Sequence, residues 1–394
     1  MKSIKKPIVI VGAGFGGITV ALNLKRLNPS LSILVVDSEE KFIFKPLMYE
    51  VLSEEIPIWE AALEFSSIFS NSGITFLRNC LTKIRFDENI LEFSDDLKIG
   101  YEALVLCTGS LSNNFSVKGV DENCYFFNNL NDFYKLKSFL QSIQNNYVKK
   151  KLFIVGAGPS GIEIACKIND IYKDKFDISI IERSNEILSK NKIFNREEAE
   201  KALEIRKINL LLNSTVQEIS EEKIIIFNES EIKELDQDLV IWTAGVKPNI
   251  PFIDERVKKI NGRILVNQKF QIDNFINSFA IGDISIIRGV EDLPLTAQVA
   301  MQEGIHLAKN IELLLQEKDL LPFEFQDNGE MISLGIGEAS ISALGLTLSG
   351  KLAFEARRLI YASKMPAIGK SLKSTAFWLF QKKSILTQFI KKTR

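Results

Sequence analysis

A chain of 394 residues, 46% hydrophobic and 25% charged, has the composition of an ordinary folded protein of two to three domains, so disorder is not the default. With 49 basic against 50 acidic residues the net charge is −1, and nothing in the bulk charge favours nucleic acid or an acidic partner. No stretch reaches the roughly 20 uninterrupted apolar residues that span a bilayer as a helix, so any membrane contact is expected to be peripheral. The four cysteines, Cys80, Cys107, Cys124 and Cys166, form no C-x-x-C pair and, with a single histidine, no zinc spacing. Free thiols in a reducing compartment and no metal site are expected. The basic start runs straight into glycines, a pattern unlike a signal peptide.

In chain order, Ile8-Val9-Ile10-Val11 reads as a buried strand, the following glycines open a helix through Leu24, and a second strand over 32–36 ends on Asp37. That is a βαβ unit. Short alternating segments follow at 74–77 and 90–93, then the apolar strand Ala103-Leu104-Val105-Leu106 leading into Thr108-Gly109. Polar loops near Asn113 and Asn128 suggest a domain crossing. The opening grammar then returns, with a strand over 152–155, a glycine turn, a helix from Gly161 and a strand over 179–181 ending on Glu182. A strand over 239–242 runs into Thr243-Ala244-Gly245, and Phe279-Ala280-Ile281-Gly282-Asp283 returns the chain to the first domain. Beyond about residue 323 the character changes. Residues 356–394 hold 10 Lys or Arg and no acid, leaving 39 basic against 50 acidic residues, or −11, in the body.

Gly12-Ala13-Gly14-Phe15-Gly16-Gly17 fits G-x-G-x-x-G, where glycines permit a tight turn, a close approach of backbone to pyrophosphate, and close helix–strand packing. The phosphate would sit on a helix N-terminus, and Asp37 is placed for the ribose hydroxyls. Gly156-Ala157-Gly158-Pro159-Ser160-Gly161 repeats the pattern, with Glu182 in the place of Asp37. Two complete units imply two dinucleotides. A carboxylate at the second repels the 2′-phosphate of NADPH and favours NADH, whereas Arg183 beside it leaves NADPH open.

These residues resemble the two-dinucleotide-binding-domain flavoproteins of the pyridine nucleotide-disulfide oxidoreductase superfamily. More narrowly they resemble the type II NADH:quinone oxidoreductases, the single-subunit, non-pumping kind. Phe44-Lys45-Pro46-Leu47-Met48-Tyr49-Glu50 is similar to the segment that passes the flavin ring in that family, and Gly161-Ile162-Glu163 to its G-V-E. Pro294-Leu295-Thr296-Ala297-Gln298-Val299-Ala300-Met301-Gln302 is similar to its P-x-T-A-Q-x-A-x-Q, followed here by Glu303 where a second Gln is common. The resemblance implies an α/β fold of two Rossmann-like domains: a discontinuous FAD domain over 1–112 and 246–325, and an inserted NAD(P)H domain over 113–245. A C-terminal region over 326–394 would carry the membrane-associating tail.

The resemblance further implies that Gly12, Gly14, Phe15, Gly16, Gly17, Asp37, Lys45, Pro46, Thr108, Gly109, Gly282, Asp283, Ala297 and Gln298 serve FAD. Gly156, Gly158, Pro159, Ser160, Gly161, Glu182 and Gly245 would serve NADH, with NADPH as a second donor. Glu163, Gln298 and Gln302 would act in catalysis, passing electrons to a quinone without proton pumping. Expected partners are the quinone, an anionic membrane surface on its cytoplasmic side, a second copy in a homodimer, and no nucleic acid. Residues 373–394, where aromatic and aliphatic residues alternate with lysines, have the composition of an interfacial anchor. Disulfide reductases need a redox cysteine soon after Asp37, and none occurs before Cys80. Two competing readings stand beside the quinone one: a soluble FAD-dependent reductase of a protein or small-molecule acceptor, and a flavin redox sensor. His306, the lone histidine, reads as structural.

Overall fold

A computed structural model describes residues 6–143, 148–228, 231–251 and 254–366; the anchor-like segment 373–394 lies outside the described residues. The chain forms two compact units. One gathers Met1–Phe42, Ala62–Leu111 and Val246–Gln326; the other gathers Ile43–Ala61, Ser112–Gly245 and the described residues from Asp327 onward. Sequence reading groups 43–61 with the first glycine turn and sets 326–394 apart as a third region. The first stretch, and the described residues of the second from Asp327 onward, instead cluster with the second unit, where Glu50 and Glu55 of the first stretch find their countercharges.

In the first unit five strands run parallel in the order Phe275–Ala280, Ala103–Leu106, Ile8–Val11, Ile33–Asp37, Ile74–Arg78. Ile8–Val11 and Ala103–Leu106 are buried at every position. This is why they read as unbroken apolar runs rather than alternating ones. Full burial of each such side chain contributes about 1.5–3 kcal/mol. Helices Phe15–Leu27 and Ala297–Leu315 pack on each other, and Gly304 permits the approach: a Cβ there would lie 2.8 Å from the Gly16 carbonyl oxygen.

The second unit repeats the arrangement on four parallel strands, ordered Asn209–Leu211, Phe176–Ile181, Lys150–Val155, Leu239–Trp242. Three antiparallel strands, Ser214–Ile219, Lys223–Asn228 and Glu231–Asp236, share a core with this sheet through Val216, Ile224 and Trp242. Helix Pro159–Tyr172 packs against Glu330–Gly335, the first strand of a second antiparallel sheet completed by Glu338–Ala343 and Leu346–Ser349. Helix Gly350–Lys364 covers that sheet with Ala353 and Phe354. Enclosed in this way, helix Pro159–Tyr172 is buried continuously from Gly161 to Ile168, with Glu163 and Lys167 inside. Charges so placed must be paired.

Both internal excursions of the chain out of the first unit have their ends tied together. The Phe44 N–H donates to the Ala61 carbonyl at 2.7 Å, and the Asn113 N–H to the Gly245 carbonyl at 3.2 Å. Among the described residues no helix is long and apolar enough to cross a membrane.

Candidate functional site

The two glycine turns are built alike. Gly12 has φ +101° and Gly156 φ +104°, and a Cβ at Gly12 would collide with the Cys107 carbonyl, so a side chain is excluded on both counts. Gly17 and Gly161 press against the carbonyls of Gly12 and Gly156, which seats each helix on its strand. Gly14 and Gly158 differ: nothing lies within 4 Å of where their Cβ would be, and each is the residue before a helix, whose N-terminal end favours an anion. Asp37 accepts the Ala13 N–H at 2.6 Å and the Glu39 N–H at 2.9 Å. Glu182 accepts the Ala157 N–H at 2.7 Å and the Ser184 N–H at 2.9 Å. Each acid is thus fixed beside its own turn, and the open space at Gly14 and Gly158 fits a pyrophosphate.

The other predicted residues are held by contacts within their own units. In the first unit Phe15 packs edge-on against Phe42 at 5.0 Å, and the Thr108 hydroxyl donates to the Asn249 carbonyl. Gly109 (φ +71°) accepts the Asn249 N–H. Gly282 (φ +73°) opens a short turn in which Asp283 accepts the Ser110 hydroxyl at 2.6 Å. Thr296 caps helix Ala297–Leu315, placing Ala297 and Gln298 in its first turn. Gln302 is spoken for: its amide donates to the Gln326 carbonyl at 2.8 Å and its oxygen accepts the Gln326 N–H at 3.0 Å. Glu303, noted in the sequence only as a departure, is buried and accepts the Gly282 N–H at 2.6 Å. Burial pushes its carboxyl up to about 7, against the pull of that bond and of Arg263.

In the second unit Lys45 donates to the Asn128 side chain at 2.6 Å. The Tyr49 hydroxyl and Ser160 Oγ are 2.9 Å apart, and Pro159 opens its helix where a missing N–H costs nothing. Gly245 turns with φ +66° after Thr243, whose hydroxyl donates to the Val155 carbonyl at 2.9 Å. Glu163 accepts the Ser333 N–H at 2.8 Å and an Arg357 N–H at 3.1 Å. Arg357, wholly buried, also pairs with Glu50 and donates to the Pro46 carbonyl at 2.9 Å, with Tyr361 stacked 4.7 Å from its guanidinium. Burial pushes the Glu163 carboxyl up to about 7; the Arg357 charge and the Ser333 N–H pull the other way. One turn along the same helix, buried Lys167 pairs with Glu55. Sequence reading missed Glu50, Glu55, Lys167 and Arg357. For Lys167 the available signal was a charge set among apolar residues on a helix that proves to be buried, and it appears only once strand Glu330–Gly335 is seen to pack on that helix.

Burial pushes the Cys107 thiol far up and the Cys166 thiol up to about 12. Neither is a thiolate at neutral pH, so neither is a redox nucleophile there. Cys107 donates to the Gly12 carbonyl at 3.0 Å, a structural task. His306 sits 2.9 Å from the Leu321 carbonyl against Phe270 and Phe323.

Residues 6–304 match the family described as pyridine nucleotide-disulphide oxidoreductase. The chain is 33% identical to a demethylphylloquinone reductase, NdbB, of Synechocystis sp., over 96% of its own length and 97% of the relative's. It is 32% identical to the alternative NAD(P)H-ubiquinone oxidoreductase C1, chloroplastic/mitochondrial, of Arabidopsis thaliana, covering 95% of this chain and 80% of that one. In fold it matches the structure of NDH2 from Plasmodium falciparum in complex with NADH, with a TM-score of 0.85 at 18% identity over 97% of this chain and 99% of the other.

Proposed function

Because the chain belongs to the pyridine nucleotide-disulphide oxidoreductase family, we propose that it is a type II NAD(P)H:quinone oxidoreductase: an FAD enzyme that oxidises NADH and reduces a membrane quinone without pumping protons. The observation that carries this reading is the company Glu163 keeps. One unit supplies a glycine turn with its ribose acid, and on the very helix that follows the turn lies a buried carboxyl whose proton is held near neutrality. Bound FAD would supply the hydride acceptor and the electron relay between the two substrates. The protein's own work is then binding and proton handling. The turn at Gly12–Gly17 with Asp37 would hold FAD, aided by Asp283; the turn at Gly156–Gly161 with Glu182 would hold NADH. Gln298 would face the quinone. Reduction of a quinone to a quinol takes two electrons and two protons, and Glu163 would donate one of the protons. The raised thiol pKa values support a route that uses neither Cys107 nor Cys166.

The test is anaerobic titration of the holoprotein with NADH and with NADPH, followed by reoxidation with a panel of soluble quinones. Bleaching of the flavin by NADH at lower concentration than by NADPH, and its recovery on adding quinone, is expected. Flavin that bleaches but is reoxidised by no quinone would favour a protein acceptor or a redox sensor instead.

A further inference from the structure

The proton that leaves Glu163 has to be replaced, and most of the groups around that carboxyl are unable to do it. Arg357 does not deprotonate in proteins. Glu50 is wholly buried and committed to Arg357. Burial pushes the Tyr361 hydroxyl up to about 12 and that of Tyr49 higher still. Lys167 is different. It lies four residues along the helix from Glu163, the spacing that makes side chains neighbours, about 5–6 Å apart at Cβ. Its ammonium is fully buried, yet its partner Glu55 is 12% exposed. Glu55 is held in place by the Gly337 N–H at 2.9 Å and by the Ser53 hydroxyl. It also lines a groove of about 930 Å³ together with Glu54, Ile56, Trp59, Phe133 and Lys137, where Lys137 and Glu54 pair at 3.1 Å.

We propose that Glu55 and Lys167 are the proton entry for Glu163, leading from this groove to the buried carboxyl. Each turnover, NADH + H⁺ + quinone → NAD⁺ + quinol, draws one proton from solvent. Once Glu163 has given its proton to the quinol oxygen, the Lys167 ammonium passes one to the Glu163 carboxylate, leaving a neutral amine. Glu55, protonated from the groove, returns a proton to that amine, and the ion pair is restored. In this relay Lys167 and Glu55 act through Glu163. The proposal rests on the quinone reading above.

The experiment compares two acceptors with the FAD-loaded, full-length protein and NADH: a soluble quinone, which needs protons, and ferricyanide, which takes electrons alone. In Lys167→Met the ratio of quinone to ferricyanide turnover is expected to fall at least tenfold, and in Glu55→Gln to fall likewise. Lys167→Arg is decisive, since an arginine keeps the charge and the pairing but passes on no proton; the ratio should stay low there too. These last two variants carry the test where Lys167→Met does not accumulate, and bound FAD is measured in each. An Arg variant with the wild-type ratio would show the pair to be purely structural and overturn the relay. An unchanged ratio in Lys167→Met, with a wild type that reduces quinone, overturns it too. A wild type that reduces ferricyanide but no quinone overturns the quinone reading itself, and the relay with it.

Discussion

A carboxyl that titrates near 7 is charged or neutral according to small changes in its surroundings, and Glu163 is one, because burial opposes its ionisation more strongly than Arg357 assists it. If its protonated form is the donor, quinone turnover should hold steady in mild acid and fall as pH rises through about 7. Glu163→Gln keeps an acceptor for the Ser333 N–H but has no proton to give. Turnover at pH 6 should drop on the order of 100-fold, and the remaining rate should be flat across that range. A steady-state pH profile from 5 to 9 decides it: an alkaline fall that survives in the variant belongs to another group. Glu303 has the same raised affinity for protons without any role in this step, so a stability profile alone would not separate the two.

Helix Gly350–Lys364 shows how much was legible in sequence and where legibility stopped. The glycine turns, their strands and their two acids were plain, because those features are local: φ above zero at Gly12, a buried β-branched run before it, an acid one strand later. In sequence Arg357 belongs to the acid-free basic run over 356–394. It is instead the cation of an interior pair, since helix Gly350–Lys364 belongs to the second unit; Arg358 beside it is also buried, which leaves 8 of the 10 basic residues for any surface role. No periodicity shows that, because the partner Glu50 is 307 residues away. Likewise Ile43–Ala61 reads as a continuation of the first domain until its acids are seen against Arg357 and Lys167. Arg357→Met should cost about 3–5 kcal/mol, as it strips two buried carboxyls of their cation. The sign with pH follows. Without Arg357 the Glu163 carboxyl binds its proton more tightly in the folded than in the unfolded chain, so stability declines as pH rises above the ordinary carboxyl range. Urea midpoints at pH 5.5 and 8 should show the larger deficit at pH 8; an equal or smaller deficit there would mean that the pair is not holding the charge on Glu163.

At the scale of the whole molecule, charge is sorted along the chain: acid prevails before residue 356 and only bases follow. Attraction to anionic lipid calls for one sign, and aromatic side chains suit the interface. A chain ending at Lys370 should therefore keep its FAD and its turnover with soluble quinones while no longer sedimenting with anionic liposomes at low salt. Truncated protein that still sediments would place the attachment elsewhere. The knotting of the two excursions at their ends bears on how such a chain is made. As the ribosome releases it, residues 6–111 emerge with strand Ala103–Leu106 exposed along one edge, and Phe275–Ala280, which completes that edge, arrives more than 160 residues later. Left unstructured, the intervening stretch would impose a loop-closure cost that grows with its length. Folded, it brings Asn113 and Gly245 together, and the early half meets the late half across little more than a hairpin's breadth. Assembly from the inside outward is thus the order that spares the nascent half an open, adhesive edge.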